Sequence, residues 1–483
     1  MSTERSVLNL LSIFTVVWLI LVPLSHGTSD GGEKSEVRLL FAGDILLSRG
    51  VERRLLHNPQ ALSRALQSML SGFDWAAGNL EGAVGSSDSC LKSAQETCFS
   101  IRDEFIPLLS QAGFKAIGLA NNHSSDLGRT GLETSRRLIA QNGMTALTYE
   151  DSPQFINFDN LTVGLITLSM IPGRDKEAVD VPGIDLRQKL RLAKNLSNLV
   201  VVYIHWGSEF LDWPDKRQRR AAKWLIKHGA DIIVGHHPHV VQKPECINGR
   251  PIFYSLGNLV FDQKYSSTKE GLLADCRIRG ETVSCSGIRT RTAESSTLPA
   301  VNGVDSEVER ELSGCGLKLA PCLMVRGITL RPEGNSAQGG RQPGLLLKAN
   351  REGKVLWKTR HAKIVSIESM KVGGPQPAEY LFTLERHYSE MDKEEGLRPC
   401  VYEVRPEALI PKWKGTGLAW PLLDAALLPG DSGVLCAEHR GDSFIRLEPG
   451  SPERRIAAYR WKGFGFSGIH DPQLIDRCRE YLE

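Results

Sequence analysis

Short apolar runs recur between residues 36 and 255, and a polar cluster of Gly, Asn, Asp or His follows most of them. Such runs predict buried β-strands, here at residues 36–42, 73–77, 115–120, 161–168, 199–204, 231–234 and 252–255. The segments between them have the spacing of amphipathic helices, at residues 60–70, 103–112, 131–142, 185–197 and 215–228. The alternation of strand and helix predicts an α/β domain with a largely parallel sheet over residues 37–280.

The pattern changes after residue 280. Residues 281–345 are rich in Gly, Ser, Thr and Arg and show little periodicity, which indicates an irregular insertion or linker. Residues 346–483 contain short alternating runs that are separated by turn residues. This second pattern predicts an appended, mostly-β C-terminal module of unknown role.

An apolar stretch at residues 7–24 reads VLNLLSIFTVVWLILVPL. A basic start, an apolar run and small residues after it are typical of a secretory signal peptide, here residues 1–27. The run is also long enough to be an uncleaved membrane anchor. In both cases we expect an exported protein that is periplasmic, or membrane-anchored and facing the periplasm or the cell exterior.

Composition narrows the classes of partner. The net charge is +3 with 24% charged residues, so no overall charge attracts nucleic acid, and we expect no nucleic-acid partner. Ten cysteines are too few for a disulfide scaffold, but an oxidising compartment permits some bridges. Cys90 with Cys98, and Cys315 with Cys322, bracket short loops and are candidate pairs. The other six cysteines cannot be paired from the sequence.

Polar side chains collect at the predicted strand ends. Because the carboxyl ends of parallel strands meet at one edge of a sheet, a ligand site is expected there. Each cluster alone has a simpler explanation as a turn, a helix cap or a structural histidine. Their repetition along the chain favours one shared site instead, formed by Asp44, Asn79, Glu81, Asn122, His123, His205, His237 and His239.

These residue types predict a metal site. Carboxylate, amide and imidazole groups bind Mn, Fe, Zn or Mg ions, and the absence of cysteine argues against structural zinc. We therefore expect one or two divalent metal ions, because two ions that share a carboxylate bind a phosphate and generate a hydroxide nucleophile. His123 suits the role of general acid, with Asp126 orienting it. In an extended segment, His237 and His239 would project to the same side.

Six motifs carry a resemblance to a known family, and they lie within residues 37–275: FAGDILLSRG, GNLEGAV, LANNHSSDLGRTGL, VVYIHWGSEF, GHHPHVVQ and YSLGNLVFDQ. In this order they resemble the bacterial CapA family of capsule and poly-γ-glutamate synthesis proteins. The resemblance implies a calcineurin-like metallophosphoesterase fold, in which two sheets and flanking helices form a four-layer sandwich. It also implies an exported or membrane-anchored protein.

The resemblance assigns roles to single residues. It implies metal ligands at Asp44, Glu81, Asn122, His205, His237 and His239, with Glu81 preferred to Asn79 as the bridging group. It implies a catalytic role for His123. Supporting or substrate-contacting positions are Asn79, Glu209, Gln242, Asn258, Asp262 and Gln263. The chain departs from ordinary metallophosphoesterases at Leu46, where they carry a histidine, and at Gly78-Asn79-Leu80-Glu81, where they carry Gly-Asp-x-x-Asp.

Two functions from different classes follow. The first is a metal-dependent, phosphoesterase-like hydrolase or transferase that acts at the cell envelope on a phosphorylated or anionic polymer or its precursor. The alternative is a non-catalytic assembly or export factor of a membrane polymer-synthase complex. A third hypothesis places sugar binding in the C-terminal module, although core packing is the simpler explanation of its aromatic run of Tyr459, Trp461, Phe464 and Phe466.

Overall fold

The computed structural model describes residues 36–90, 98–292, 298–333, 345–360, 363–373, 378–389, 394–415, 422–440 and 454–483. Its strands β1–β31 and helices α1–α8 are numbered along the chain. The predicted export segment at residues 1–27 lies outside the described residues. Within the described ranges, no helix has the length and apolar character needed to cross a membrane.

Two sheets form the α/β region. The first has nine strands in the order β18 (Pro299–Val304), β17 (Thr282–Thr292), β16 (Glu270–Arg279), β1 (Val37–Ile45), β2 (Trp75–Leu80), β5 (Ala116–Gly118) and β6 (Thr145–Leu147), with β15 (Asn258–Val260) beside β1 and β19 (Leu317–Lys318) beside β17. The second has six strands in the order β12 (Glu245–Ile247), β13 (Arg250–Phe253), β10 (Ile232–His236), β9 (Leu199–His205), β8 (Leu161–Ser169) and β7 (Gln154–Phe158). The parallel pairs are β1–β2, β2–β5 and β5–β6 in the first sheet, and β8–β9, β9–β10 and β10–β13 in the second. The alternation of strand and helix predicted this parallel arrangement.

The two sheets pack face to face, with helices on both outer sides. In β1, Leu39 and Phe41 point into the core between the sheets, while Leu40 and Ala42 point towards helices. Helices α1 (Arg49–Leu55), α2 (Pro59–Leu70), α3 (Ile106–Ala112) and α4 (Gly128–Gln141) cover the first sheet, and α5 (Ile184–Leu196) and α6 (Lys216–Lys227) cover the second. Burial on both faces explains why these strands read as continuous apolar runs. The predicted α/β four-layer sandwich is confirmed.

Residues 281–345 are more regular than the sequence indicated. Strand β17 completes a hairpin with β16, and α7 (Ser306–Leu312) packs against the core between the sheets. The first sheet therefore continues well past residue 280. The pattern hid this because β17 reads TVSCSGIRTRT, in which most positions are polar and only half-covered.

The C-terminal module is mostly β, as predicted, and begins near Met324 instead of at residue 346. Its sheets comprise β20 (Met324–Val325), β21 (Ile328–Pro332), β22 (Leu346–Arg351) and β23 (Lys354–Arg360), then β24 (Ile364–Val372), β25 (Ala378–Ser389), β26 (Glu394–Val404) and β27 (Leu409–Lys414), then β28 (Leu422–Leu427), β29 (Val434–Arg440), β30 (Arg454–Trp461) and β31 (Phe466–Ile469). Helix α8 (Pro472–Leu482) packs on the last sheet. Tyr459 and Trp461 are buried and Phe466 packs against them, which supports the packing explanation for these three residues. Phe464 is 81% exposed and is not part of that core.

Helix α5 joins the module to the α/β region. Leu186, Leu190 and Ala193 pack on the second sheet, while Leu192 and Leu196 pack against strands of the module. Polar contacts reinforce this junction through Arg187, Gln188, Arg191, Asp424 and Glu438. The described residues from Glu36 onwards therefore form one compact unit.

Four disulfides connect neighbouring elements. The predicted Cys90–Cys98 pair is confirmed. The Cys315–Cys322 pair is wrong, because Cys315 bonds Cys246 and Cys322 is a free thiol. Cys246 and Cys315 are 69 residues apart, and only the packing of α7 beside β12 brings them together. The remaining bridges are Cys276–Cys285 and Cys436–Cys478.

Replacing Asp424 with alanine tests the junction. This fully buried carboxylate accepts a hydrogen bond from Arg187 Nε at 3.0 Å and from Arg191 Nη2 at 2.7 Å. Removing it leaves two mostly buried guanidinium groups without this partner, so we expect Asp424→Ala to lower the free energy of unfolding by about 3–5 kcal/mol.

Urea denaturation with the disulfides intact measures this loss. The control is Asp476→Ala, whose side chain is 64% exposed, with an expected change within about 0.5 kcal/mol. Equal effects of the two substitutions would show that the buried cluster does not hold the junction.

Candidate metal centre

Strand register brings the first site residues together. Strand β1 lies between β2 and β15 so that Asp44 is opposite both Asn79 and Asn258. Asn79 Nδ2 donates a hydrogen bond to Asp44 Oδ1 at 2.8 Å. A Cβ atom on Gly43 would lie 2.1 Å from the carbonyl oxygen of Gly257, so only glycine permits this close approach of the two strands.

Asp44, Glu81 and His239 form the compact centre of the site, with one potential ligand atom from each within 4.8 Å of the others. His239 Nδ1 is 3.3 Å from Asp44 Oδ2 and donates to Asn258 Oδ1 at 3.0 Å. In the neutral tautomer this leaves Nε2 free as a ligand, 3.6 Å from Glu81 Oε2. Glu81 is fully buried, and neither of its oxygens has a hydrogen-bond partner among the described residues. A buried carboxylate without donors fits a bound cation.

A second group of predicted ligands lies beside Glu81. His205 Nε2 is 2.8 Å from Asn122 Oδ1 and 3.7 Å from Glu81 Oε1. The ring of His237 lies 4.8 Å from the ring of His205, and its buried Nδ1 has no partner among the described residues. All six residues predicted as metal ligands therefore lie in one cluster.

Burial and charge set the protonation of the site. Burial alone would raise the pKa of Asp44, but the hydrogen bond from His239 and nearby histidines lower it. Burial raises the pKa of Glu81 well above its usual range. Burial would lower the pKa of His239, but Glu81 and Asp44 raise it to about 9. Burial, with neighbouring histidines, lowers the pKa of His205 well below its usual range and that of His237 to about 4. The last two imidazoles are thus neutral at pH 7, which is the form that binds metals.

The segment with His237 and His239 is bent, not extended. Strand β10 ends at His236, and both following histidines have positive φ, 98° at His237 and 59° at His239. Their ring centroids are 6.1 Å apart, and both side chains reach the cluster from this bent segment and not from an extended one. Positive φ at a non-glycine residue costs about 1–3 kcal/mol and clusters at functional sites. The bend directs one histidine to Asp44 and Glu81 and the other to His205.

His123 and Asp126 form the predicted pair. His123 Nδ1 lies 3.0 Å from Asp126 Oδ2, which also accepts a hydrogen bond from the backbone N–H of Phe99 at 2.7 Å. The Phe99 ring stacks on the imidazole with centroids 4.0 Å apart. Arg174 Nε donates to the other oxygen of Asp126 at 2.9 Å. These contacts fix the orientation of the imidazole and the position of the Asp126 carboxylate beside it.

The predicted supporting residues have different surroundings. Asn258 holds His239, and Asn258 Nδ2 donates to Gln263 Oε1 at 2.9 Å. Asp262 pairs with Arg49 at the start of α1. These residues reinforce the strand-end loops around the site.

Gln242 and Glu209 are both associated with the loop after β9. Gln242 Nε2 donates to the carbonyl oxygens of Leu211 at 2.8 Å and Trp213 at 3.0 Å, so it supports the loop after β9. Glu209 is exposed on that same loop. After burial and Asp44, the charge of Glu209 also raises the pKa of Glu81, so this carboxylate lies near the site. A supporting or substrate-contacting role for both residues stays a prediction.

Asn121 and Arg174 are functional candidates that the sequence reasoning did not select. Asn121 Nδ2 donates to Asn79 Oδ1 at 3.1 Å and to the Leu80 carbonyl at 2.9 Å, and its Oδ1 accepts from the His123 backbone at 3.1 Å. It thereby connects the ends of β2 and β5. The signal for Arg174 was a charged residue in the loop after the buried strand β8.

Leu46 lies in an apolar group beside the site. It is fully buried and packs with Phe99 and Phe261. Phe99 stacks on His123, and the Phe261 ring lies 4.8 Å from that of His239. The position that carries a histidine in ordinary metallophosphoesterases is therefore part of an apolar wall here.

The fold and the site define a class: an α/β sandwich protein with a candidate metal centre at the strand ends. The family model described as "Bacterial capsule synthesis protein PGA_cap" matches residues 38–263, which contain every residue of the clustered site. This match, with the relatives described next, supports membership of the CapA capsule synthesis family for residues 38–263.

Two relatives from Bacillus show the extent of the similarity. The "PGA biosynthesis protein CapA" of Bacillus subtilis (strain 168) is 29% identical over 254 residues, covering 50% of this chain and 67% of the relative. The "Capsule biosynthesis protein CapA" of Bacillus anthracis is 28% identical over 303 residues, covering 58% and 74%. Among solved structures, TT1561 of Thermus thermophilus has a TM-score of 0.31 at 12% identity, covering 50% of this chain and 94% of that chain.

Asn121→Ala tests the connection between the strand ends. The substitution removes three hydrogen bonds of a buried side chain and leaves their partners without it, so we expect the free energy of unfolding to fall by about 2–3 kcal/mol. Asn58→Ala is the control, because Asn58 is exposed and makes no capping bond. Urea denaturation of both variants measures the difference. A loss no greater than that of Asn58→Ala would contradict the structural role of Asn121.

Proposed function

We propose that this protein is a metal-dependent hydrolase or transferase that acts at the cell envelope on a phosphorylated or anionic polymer, or its precursor, in capsule or poly-γ-glutamate synthesis. The observation that carries the proposal is Glu81. Its buried carboxylate lies between His205 and His239 at 3.7 and 3.6 Å, and no described residue donates a hydrogen bond to it. The names of the Bacillus relatives support the polymer and the envelope location.

In this proposal Asp44, Glu81 and His239 hold a divalent metal ion, and the group of Asn122, His205 and His237 completes its surroundings. Such an ion supplies positive charge that stabilises an anionic oxygen of the substrate. Oxygen and nitrogen ligands without sulfur favour Mn, Fe, Zn or Mg. The apolar contacts of Leu46 support one firmly held ion instead of two.

His123 is the proposed general acid. Asp126 holds Nδ1 and so directs the opposite nitrogen, Nε2, away from the Asp126 carboxylate. From Nε2 the imidazole gives a proton to the leaving oxygen of the substrate. The stack of Phe99 on the ring restricts its rotation and excludes water from one face.

A basic cavity beside the site supports an anionic substrate. It has a volume of about 750 Å³ and shares Phe261 with the apolar wall near His239. Asp262 is the acidic residue among its lining side chains and pairs with Arg49. The basic residues that line it are Arg53, Arg54, Lys264 and Lys269. A surface with this charge attracts an anionic chain towards the strand ends.

Glu81→Gln and His239→Ala test metal binding. Each removes a ligand from the compact group, so we expect the affinity of the metal-depleted full-length protein for Mn²⁺ to fall by at least about tenfold, since even the loss of an outer hydrogen-bond partner has that effect. Isothermal titration calorimetry gives the affinity and stoichiometry. The control Glu133→Gln removes an exposed carboxylate on α4 and leaves binding unchanged.

Unchanged Mn²⁺ binding in both site variants would remove the metal centre from this proposal. Stoichiometric binding without turnover of any phosphoester would instead favour the non-catalytic assembly factor. In that case, co-purification of a membrane synthase complex would identify its role.

His123→Ala tests the proton donor. We expect kcat for a dialkyl phosphodiester, whose alkoxide leaving group needs a proton, to fall by about 10²–10⁴-fold. Mn²⁺ affinity is retained, because His123 does not belong to the compact ligand group. His470→Ala, which replaces an exposed histidine just before α8, is the control. Equal activity of His123→Ala and wild type would exclude this assignment.

A further inference from the structure

Two cysteines differ from the rest of the chain. All ten lie in the described residues, and eight of them form the four disulfides. Cys322 and Cys400 are buried free thiols. Cys322 lies near the carbonyl of Leu196 and the side chain of Asn198, with Sγ 3.4 Å from Asn198 Oδ1. Cys400 instead lies beside a histidine and a carboxylate.

The strand pairing in the C-terminal module brings these groups together. On β25, Glu385 and His387 are two residues apart and so face the same side of the sheet. On β26, Cys400 is opposite Thr383. Thr383 precedes Glu385 on the same face of β25, so Cys400 also lies on that face. One potential ligand atom each from Glu385, His387 and Cys400 lies within 4.8 Å of the others.

Hydrogen bonds orient the carboxylate of this group. Glu385 Oε1 accepts from Thr383 Oγ1 at 2.6 Å and from the Tyr402 hydroxyl at 2.9 Å. Glu385 Oε2 lies 2.8 Å from His387 Nε2. One oxygen is therefore held by two hydroxyl groups, while the other faces the imidazole. This is the arrangement in which outer hydrogen bonds support a ligating carboxylate.

Solvent can reach the group of Glu385, His387 and Cys400 from one side. Glu385 and Cys400 are each 1% exposed, whereas the His387 side chain is 37% exposed. An ion can therefore reach the group from solvent past the imidazole. Three protein ligands with an open side leave a fourth position for water, as in zinc sites that exchange a ligand.

We propose that Glu385, His387 and Cys400 form a second transition-metal site, selective for Zn²⁺ and chemically similar ions and separate from the centre at Asp44. A sulfur, nitrogen and oxygen ligand set favours ions of intermediate softness over Mn²⁺ and Mg²⁺. Burial, together with the charge of Glu385, raises the pKa of the Cys400 thiol to about 12, so the metal-free thiol is protonated. Binding breaks the S–H bond, releases that proton to solvent and forms a bond from Sγ to the ion.

Cobalt titration tests the site directly, because a cobalt ion bound to thiolate has a near-ultraviolet charge-transfer absorption. Metal-depleted full-length protein, with its disulfides intact and no added reductant, is titrated with Co²⁺. Because the first centre also takes up Co²⁺, we expect the absorption to saturate by two added equivalents at the intensity of one thiolate-bound cobalt ion per chain. It is displaced by Zn²⁺ and withstands excess Mn²⁺.

Four variants identify the ligands. Cys400→Ser removes the absorption, and His387→Gln weakens Co²⁺ binding by at least about tenfold. Cys322→Ser removes the other buried free thiol and leaves the absorption unchanged. Glu81→Gln disrupts the first centre and also leaves it unchanged, so this result is independent of the proposed function.

Three outcomes would overturn the proposal: no absorption in the wild type, absorption that persists in Cys400→Ser, or absorption lost in Cys322→Ser. The first would mean that Glu385, His387 and Cys400 form a hydrogen-bonded group only. If Cys400→Ser does not fold, the half-exposed His387→Gln variant decides, and unchanged Co²⁺ affinity there contradicts the site.

Discussion

The parallel register around β1 is the constraint on which the metal centre depends. It sets Asp44 between Asn79 and Asn258, so that one neighbour donates to Asp44 and the other holds His239. A slip of one residue would turn Asp44 to the opposite face of the sheet. This register requires the backbone at Gly43 to approach Gly257, the residue just before β15. A Cβ atom at position 43 would clash with the carbonyl oxygen of Gly257. The pairing of strands within the sheet thus sets the positions of the side chains at the strand ends.

The site places its least favourable groups where the surrounding structure is most rigid. Glu81 is buried without a hydrogen-bond donor among the described residues, and His237 and His239 adopt positive φ. Each of these features destabilises the folded chain. Two apolar cores, one between the sheets and one beneath α1–α4, offset the cost. A functional site is expected to contain locally unfavourable features, such as a buried carboxylate or strained backbone, within a stable fold.

Helix α5 makes the C-terminal module part of the same folded unit. One face of this helix belongs to the core of the second sheet, and the other contributes Leu192 and Leu196 to the core of the module. Buried ion pairs between Arg187, Arg191 and Asp424 add specificity, because charged groups without partners would be costly in any other arrangement. The strand face that carries Glu385 and Cys400 is therefore held in a fixed frame, which favours a defined ligand geometry.

The sequence by itself determined the strands, the helices and the edge where the polar residues meet, because strands buried on both faces must be apolar and parallel strands share a carboxyl end. It therefore located Asp44, Glu81, Asn122, His205 and the histidine pair after β10. Only the tertiary structure decided the bend at that pair, the place of the polar strand β17 in the first sheet, and the bridge from Cys246 to Cys315. These features depend on contacts between residues far apart in the chain, and local patterns of apolar and polar positions carry no record of such contacts.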